Sequence, residues 1–111
     1  MVDKLKLEKE DYSKLEGRDL MTVMREKYDK NPPPPQVSRS DPYDINLIEI
    51  LGERRSLHQM QLFGQLKQFV KEFDLEKAAM TLLKLEKLGH VMVVNDFWKL
   101  TEKGRDLFEN F

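Results

Sequence analysis

The stretch Leu85-Glu86-Lys87-Leu88-Gly89-His90-Val91-Met92-Val93-Val94-Asn95-Asp96-Phe97-Trp98-Lys99-Leu100-Thr101 carries two changes of period. Up to Leu88 the apolar residues recur at helical spacing. After Gly89 they become two β-branched or aromatic runs, His90 to Val94 and Phe97 to Leu100, joined by Asn95-Asp96. Glycine suits the left-handed residue that ends a helix. A two-residue loop led by Asn suits a type I′ hairpin, which needs positive φ at both loop residues. Thr101 then offers a cap for one more helix, with Leu107, Phe108 and Phe111 packing back. The stretch predicts a helix, a hairpin and a helix in succession.

Upstream, Asp74 can cap a helix over residues 75–88. Ser56-Leu57-His58-Gln59 has capping-box spacing and opens a helix over about residues 57–73, with Leu62, Phe63, Leu66, Phe69, Val70 and Phe73 on one stripe. Gly64 inside that helix is tolerable if another helix crosses closely there. Asp41 and Pro42 start an earlier helix, Ile45, Leu47, Ile48 and Leu51 give it an apolar face, and Gly52 closes it. Before it, residues 31–40 hold four consecutive prolines, Pro32 to Pro35, which favour extended polyproline II. They read as a semi-rigid spacer in preference to a P-x-x-P ligand. Residues 7–30 read as two short helical pieces parted at Gly17, the second with Leu20, Val23, Met24 and Tyr28 on a narrow apolar stripe. The expected organisation is a helical N-terminal arm (1–30), a proline-rich spacer (31–40) and a folded domain (41–111).

Composition bounds the function. The chain has 111 residues, 40% of them apolar, enough for one modest core. Nineteen Lys plus Arg stand against twenty Asp plus Glu, so a polybasic coat and an acidic tail are both excluded. No cysteine is present, which removes disulfides, thiolate nucleophiles and Cys-ligated zinc and makes a reducing compartment the default. The longest apolar run is Val91 to Val94, far short of a membrane span, and the first residues lack a secretory pattern. A cytoplasmic or nucleoid-associated protein is expected. G-x-S-x-G, G-x-x-x-x-G-K-[ST] and H-E-x-x-H are absent from the sequence, and His58 and His90 lie thirty-two positions apart with no ligand spacing around them. The reading is of no enzyme, no metal and no cofactor.

Two motifs resemble a known family. Leu82-Leu83-Lys84-Leu85-Glu86-Lys87-Leu88-Gly89-His90-Val91 is similar to the recognition-helix exit of MarR- and PadR-type regulators, and Trp98-Lys99-Leu100-Thr101-Glu102-Lys103-Gly104-Arg105 to their second wing strand and the helix after it. The likeness covers about residues 41–111. It implies a mainly α fold with a small β-hairpin, the winged helix-turn-helix. It also implies a small, dimeric DNA-binding regulator of transcription, with residues 75–88 laid in the major groove, the wing beside it and the second helix across the phosphates.

On a helical wheel, Leu75, Ala78, Ala79, Leu82 and Leu85 share the core arc, while Lys77, Met80, Thr81, Lys84, Lys87 and Leu88 face outward. Lys77, Lys84 and Lys87 could meet phosphates, and Thr81 a phosphate or base edge. Lys67 and Lys71, i and i+4 on the second helix, could grip one strand, and Lys99 faces out from the wing. The outward face lacks Arg, Asn and Gln, so contact with duplex DNA would be backbone-weighted. Residues 41–111 hold ten basic and twelve acidic side chains, which weighs against DNA; the DNA-binding regulator is still the favoured expectation, with one alternative beside it. That alternative is a winged-helix protein-interaction scaffold using Met80, Leu88, Phe97 and the arm stripe of Leu20, Val23, Met24 and Tyr28. The stripe is too narrow to bury alone, so the arm is expected to join two copies or, alternatively, to cover its own domain. Glu86 falls in the core arc and needs a cation, Arg54 or Arg55. Trp98 shares a strand face with Leu100 and reads as a core anchor.

Overall fold

In the computed structural model residues 17–111 are described, so the helical piece expected before Gly17 lies outside the described residues. The chain runs α1 (Gly17–Lys30), α2 (Pro42–Arg54), β1 (Ser56–His58), α3 (Gln59–Phe69), α4 (Leu75–Lys87), β2 (Val91–Val94), β3 (Phe97–Leu100) and α5 (Glu102–Glu109). It is mainly helical, with a three-stranded antiparallel sheet of order β1-β3-β2. Among the described residues no helix is long and apolar enough to cross a membrane.

The expected caps are in place. Asp41, Asp74 and Thr101 each accept a hydrogen bond from the first turn of the helix that follows. Asn95 and Asp96 have φ of 52° and 67°, the two positive values a type I′ turn requires. Gly89, with φ 86°, ends α4, its N–H donating to Glu86 O and the His90 N–H to Leu85 O.

The two motifs read separately in the sequence meet as one joint. The Thr101 hydroxyl donates to Gly89 O, the Thr101 N–H to His90 O, and the Lys103 ammonium to Leu88 O at 2.8 Å. Gly104 lies so close to His90 that a Cβ there would sit 1.9 Å from the His90 carbonyl oxygen. The start of α5 is thereby bolted to the exit of α4.

Four local expectations are corrected. Ser56-Leu57-His58 is a strand, paired Ser56↔Lys99, Leu57↔Trp98 and His58↔Phe97. The capping-box logic shifts by two residues: His58 Nδ1 accepts from the Met60 N–H, and Gln61 Oε1 from the His58 N–H. α3 stops at Phe69, because Val70 turns extended and Glu72 takes φ 51°. Phe69 is left exposed while Phe73 packs on the Tyr43 ring. Gly52 does not close α2, which runs on to Arg54; a Cβ at Gly52 would lie 2.4 Å from the Phe108 ring, so the glycine admits α5. At Gly64 no helix crosses, and a Cβ would meet no atom within 4 Å.

The spacer folds back instead of reaching away. The Gln36 N–H donates to Pro34 O, the Asp41 N–H to Ser38 O, and Val37 packs on the core. α1 consequently lies along α4, and Leu20, Met21, Met24 and Tyr28 join the same core as Leu47, Leu66, Leu82 and Trp98. Of the two arrangements left open for the arm stripe, the structure has the intramolecular one.

Candidate interaction surfaces

α4 is the helix that the resemblance assigns to DNA, and its surroundings decide what it can touch. On one side it meets α2 and the spacer. The Lys84 ammonium, on a side chain only 9% exposed, donates to both oxygens of the fully buried Asp44 at 2.7 and 2.8 Å. The Ser38 N–H donates to the same carboxylate at 2.6 Å. Asp44, in the first turn of α2, thereby ties α2, the spacer and α4 together. Thr81 is buried too, its hydroxyl donating to Lys77 O at 2.8 Å. Lys77 is exposed, but its ammonium stands 3.8 Å from Asp41 and 4.8 Å from the centre of the Tyr43 ring.

On another side α4 meets the arm. Glu86 pairs with Arg25 at 2.7 Å, not with Arg54 or Arg55, and Lys27 pairs with Glu76 at 2.8 Å. Both bridges are partly solvent-exposed and contribute at most about 1 kcal/mol each. Burial of Leu20 and Met24 contributes about 1.5–3 kcal/mol apiece, so apolar packing holds the arm. Met80 is half-buried against the core and Leu88 half-buried at the helix exit. Of the residues expected on an outward face, Lys77 and Lys87 alone are exposed. The wheel failed here because it presumes one covered side, whereas α4 is covered on three.

Lys67 is exposed on α3, but Lys71 lies past the end of that helix, so the two do not share a helical face as i, i+4 partners.

The outer face of the sheet is open. β3 alternates as expected: Trp98 and Leu100 point in, with the Trp98 Nε1–H donating to the buried Gln59 Oε1 at 3.1 Å, and Phe97 and Lys99 point out. The register sets two outward rows across the sheet, His58–Phe97–Val94 and Ser56–Lys99–Met92. Phe97, Val94 and Met92 are 45%, 48% and 39% exposed. The His58 ring stands edge-on to Phe97 at 5.6 Å, and Met60 is exposed two residues beyond His58. The sequence singled out Phe97; Met92, Val94 and Met60 were missed, although period-2 alternation from Phe97 would have found the two on β2. At the other end of the face a groove is lined by Gly52, Glu53, Arg55, Lys99, Leu100 and Arg105. Among the described residues no carboxylate forms an ion pair with Arg55, Lys99 or Arg105.

His90, at the joint between α4 and α5, has a pKa held below the usual histidine value by burial and by the charge of Lys103, against a backbone hydrogen bond at Lys103 that favours the cation. A depressed folded-state pKa means that the unfolded chain takes up the proton first. Stability should therefore fall as pH drops from the ordinary histidine pKa towards the lower folded value, and level off below it. Urea melts between pH 7.5 and 5 should show this loss shrinking in His90→Asn; an unchanged slope would contradict a charge-excluding site.

Comparison with protein-family models, with curated proteins and with solved structures finds no match. The reading of function therefore rests on the geometry.

Proposed function

We propose that residues 41–111 form a winged helix and that this chain is a protein-interaction module working through the outer face of its wing sheet, not a major-groove reader. The observation that carries this is the enclosure of α4. Its central lysine neutralises a buried aspartate, its threonine is buried, and the arm lies along it. A helix must present a free face to enter the groove. The sheet, by contrast, offers three neighbouring exposed apolar side chains, the kind of patch that marks contact with protein.

A salt titration of the full chain against random-sequence duplex DNA tests this. No saturable binding is expected below about 10 µM, because non-specific affinity of even dedicated DNA binders lies at about 1–100 µM. A photo-reactive phenylalanine analogue at Phe97 should form protease-sensitive adducts in cell extract, and one at Lys87 should form none. Nuclease-sensitive adducts at Lys87, or tight duplex binding with a log–log salt slope of about −3 or steeper, would sink the reading.

One observation favours a second reading. The groove of Arg55, Lys99 and Arg105 could hold two or three phosphates of a nucleic acid passing along the sheet edge. On that reading the chain is a DNA-binding regulator with backbone-weighted contact, and Lys99→Glu/Arg105→Glu abolishes a binding that Lys87→Glu leaves intact.

A further inference from the structure

We infer that β2 pairs, antiparallel and about a two-fold axis, with β2 of a second copy of this chain, extending the sheet from three strands to six. The inference rests on the reading of the sheet as an interaction surface and names its partner.

In a two-residue hairpin the residues flanking the turn form a hydrogen-bonded pair, so Val94 and Met92 exchange their bonds with Phe97 and Lys99. The N–H and C=O groups of Val91 and Val93 then point away from β3. Among the described residues β2 is the end of the sheet, and neither Val91 nor Val93 takes part in a turn, cap or loop backbone bond.

β2 also lacks the usual protection of an edge strand. Edge strands avoid pairing by carrying a charge, a proline or a bulge. Val91-Met92-Val93-Val94 carries no charge and no proline, and its pairing with β3 is one-to-one throughout. Its inner-face residue Val93 is half-buried beside the buried Trp98, so the core runs to this edge, and among the described residues no strand covers it.

Self-complementarity selects a second copy over another partner. A neutral strand gives a charged peptide nothing to recognise, but it is complementary to itself. With Met92 opposite Met92 on the axis, Val91 and Val93 of each copy form hydrogen-bonded pairs with Val93 and Val91 of the other, satisfying all the free edge groups at once. The outward Met92 and Val94 side chains of the two copies merge into one apolar strip. The nearest facing cations, Lys99 in each copy, are three strand spacings apart, about 14 Å, beyond the Debye length of about 8 Å. Arg55 and Arg105 line the groove at the other side of Lys99, away from the axis. The arm stripe cannot do this work, because it is buried within its own chain.

The test uses the full chain. Light scattering should report a dimer over about 1–500 µM, the span of a micromolar Kd. Amide exchange at Val91 and Val93 should slow as concentration rises, while that at Met92 and Val94, already bonded to β3, should not change. Met92→Lys and Met92→Glu alter one exposed side chain and should each weaken dimerisation about two- to fivefold, since like charges directly opposite on a sheet repel. Mixing the two variants should restore a dimer, because only a two-fold axis places position 92 opposite itself. A monomeric parent, a dimer unaffected by either variant, a mixture that fails to reassociate, or protection of Val91 and Val93 independent of concentration would each overturn the inference. A monomer that still gives protein adducts at Phe97 would refute this partner and leave the proposed function standing.

Discussion

Asp44→Ala should destabilise the chain by about 3–5 kcal/mol in urea denaturation, the usual cost of leaving one member of a buried ion pair alone. The Asp44 carboxylate is fully buried and receives two hydrogen bonds from Lys84 and one from the Ser38 N–H. Removing it strands an ammonium in the protein interior and frees the spacer that the Ser38 bond pins. Lys84→Ala should cost a similar amount, by stranding the carboxylate instead. The double variant Asp44→Leu/Lys84→Met should recover most of the loss, because replacing both charges with apolar groups removes their desolvation penalty. The unpaired Ser38 N–H keeps a residual deficit of about 1 kcal/mol. These values decide a functional question. A lysine reserved for phosphates would sit in water and its replacement would change stability by no more than about 0.5 kcal/mol. Loss of less than 1 kcal/mol in Lys84→Ala would mean that this face of α4 is open, and the case against groove reading would fail with it.

Leu20→Ala and Met24→Ala should each cost about 2–5 kcal/mol, as large-to-small changes in a packed core do. Both side chains are completely buried between α1 and the rest of the core. Against a total stability of about 5–15 kcal/mol, Leu20→Asp/Met24→Asp should leave no cooperative transition. Raising salt should move the Leu20→Ala deficit very little, because the partly exposed bridges Arg25–Glu86 and Lys27–Glu76 contribute little to the docking. The same deficit should appear in the Met92→Lys background at low micromolar concentration, where the expected dimer is weakened. A deficit that vanished in that background would mean that the arm stripe packs on another chain and not on its own.

Much of the local architecture was legible. Asp41, Asp74 and Thr101 as caps, Gly89 as a helix stop and Asn95-Asp96 as a hairpin turn all depend on bonds spanning four or five residues at most, and those neighbours are printed beside them in the chain. The inward placement of Trp98 and the outward placement of Phe97 and Lys99 followed from strand alternation, which is equally local. β1 was not legible. Three residues beginning Ser-Leu-His read equally well as a helix entry, and they become a strand because β3 lies alongside with free bonding groups. Gly52 misled for the same reason, its role being set by Phe108, fifty-six positions away.

By itself, then, the sequence determined the order of the helices and the hairpin and which side of β3 is apolar, through periodicity and caps that act over a few residues. The fate of α4 was decided by tertiary structure alone. A helical wheel carries the direction of each side chain but not the number of neighbours, so it gave Lys84 and Thr81 to solvent. The partner of Lys84 lies forty residues earlier and that of Glu86 sixty-one. The first pairing exists because α2 packs against α4, and the second because the proline segment turns back and brings α1 against α4; what fixes that turn is apolar burial and a buried carboxylate contributed from elsewhere in the chain, neither of which has a local signature.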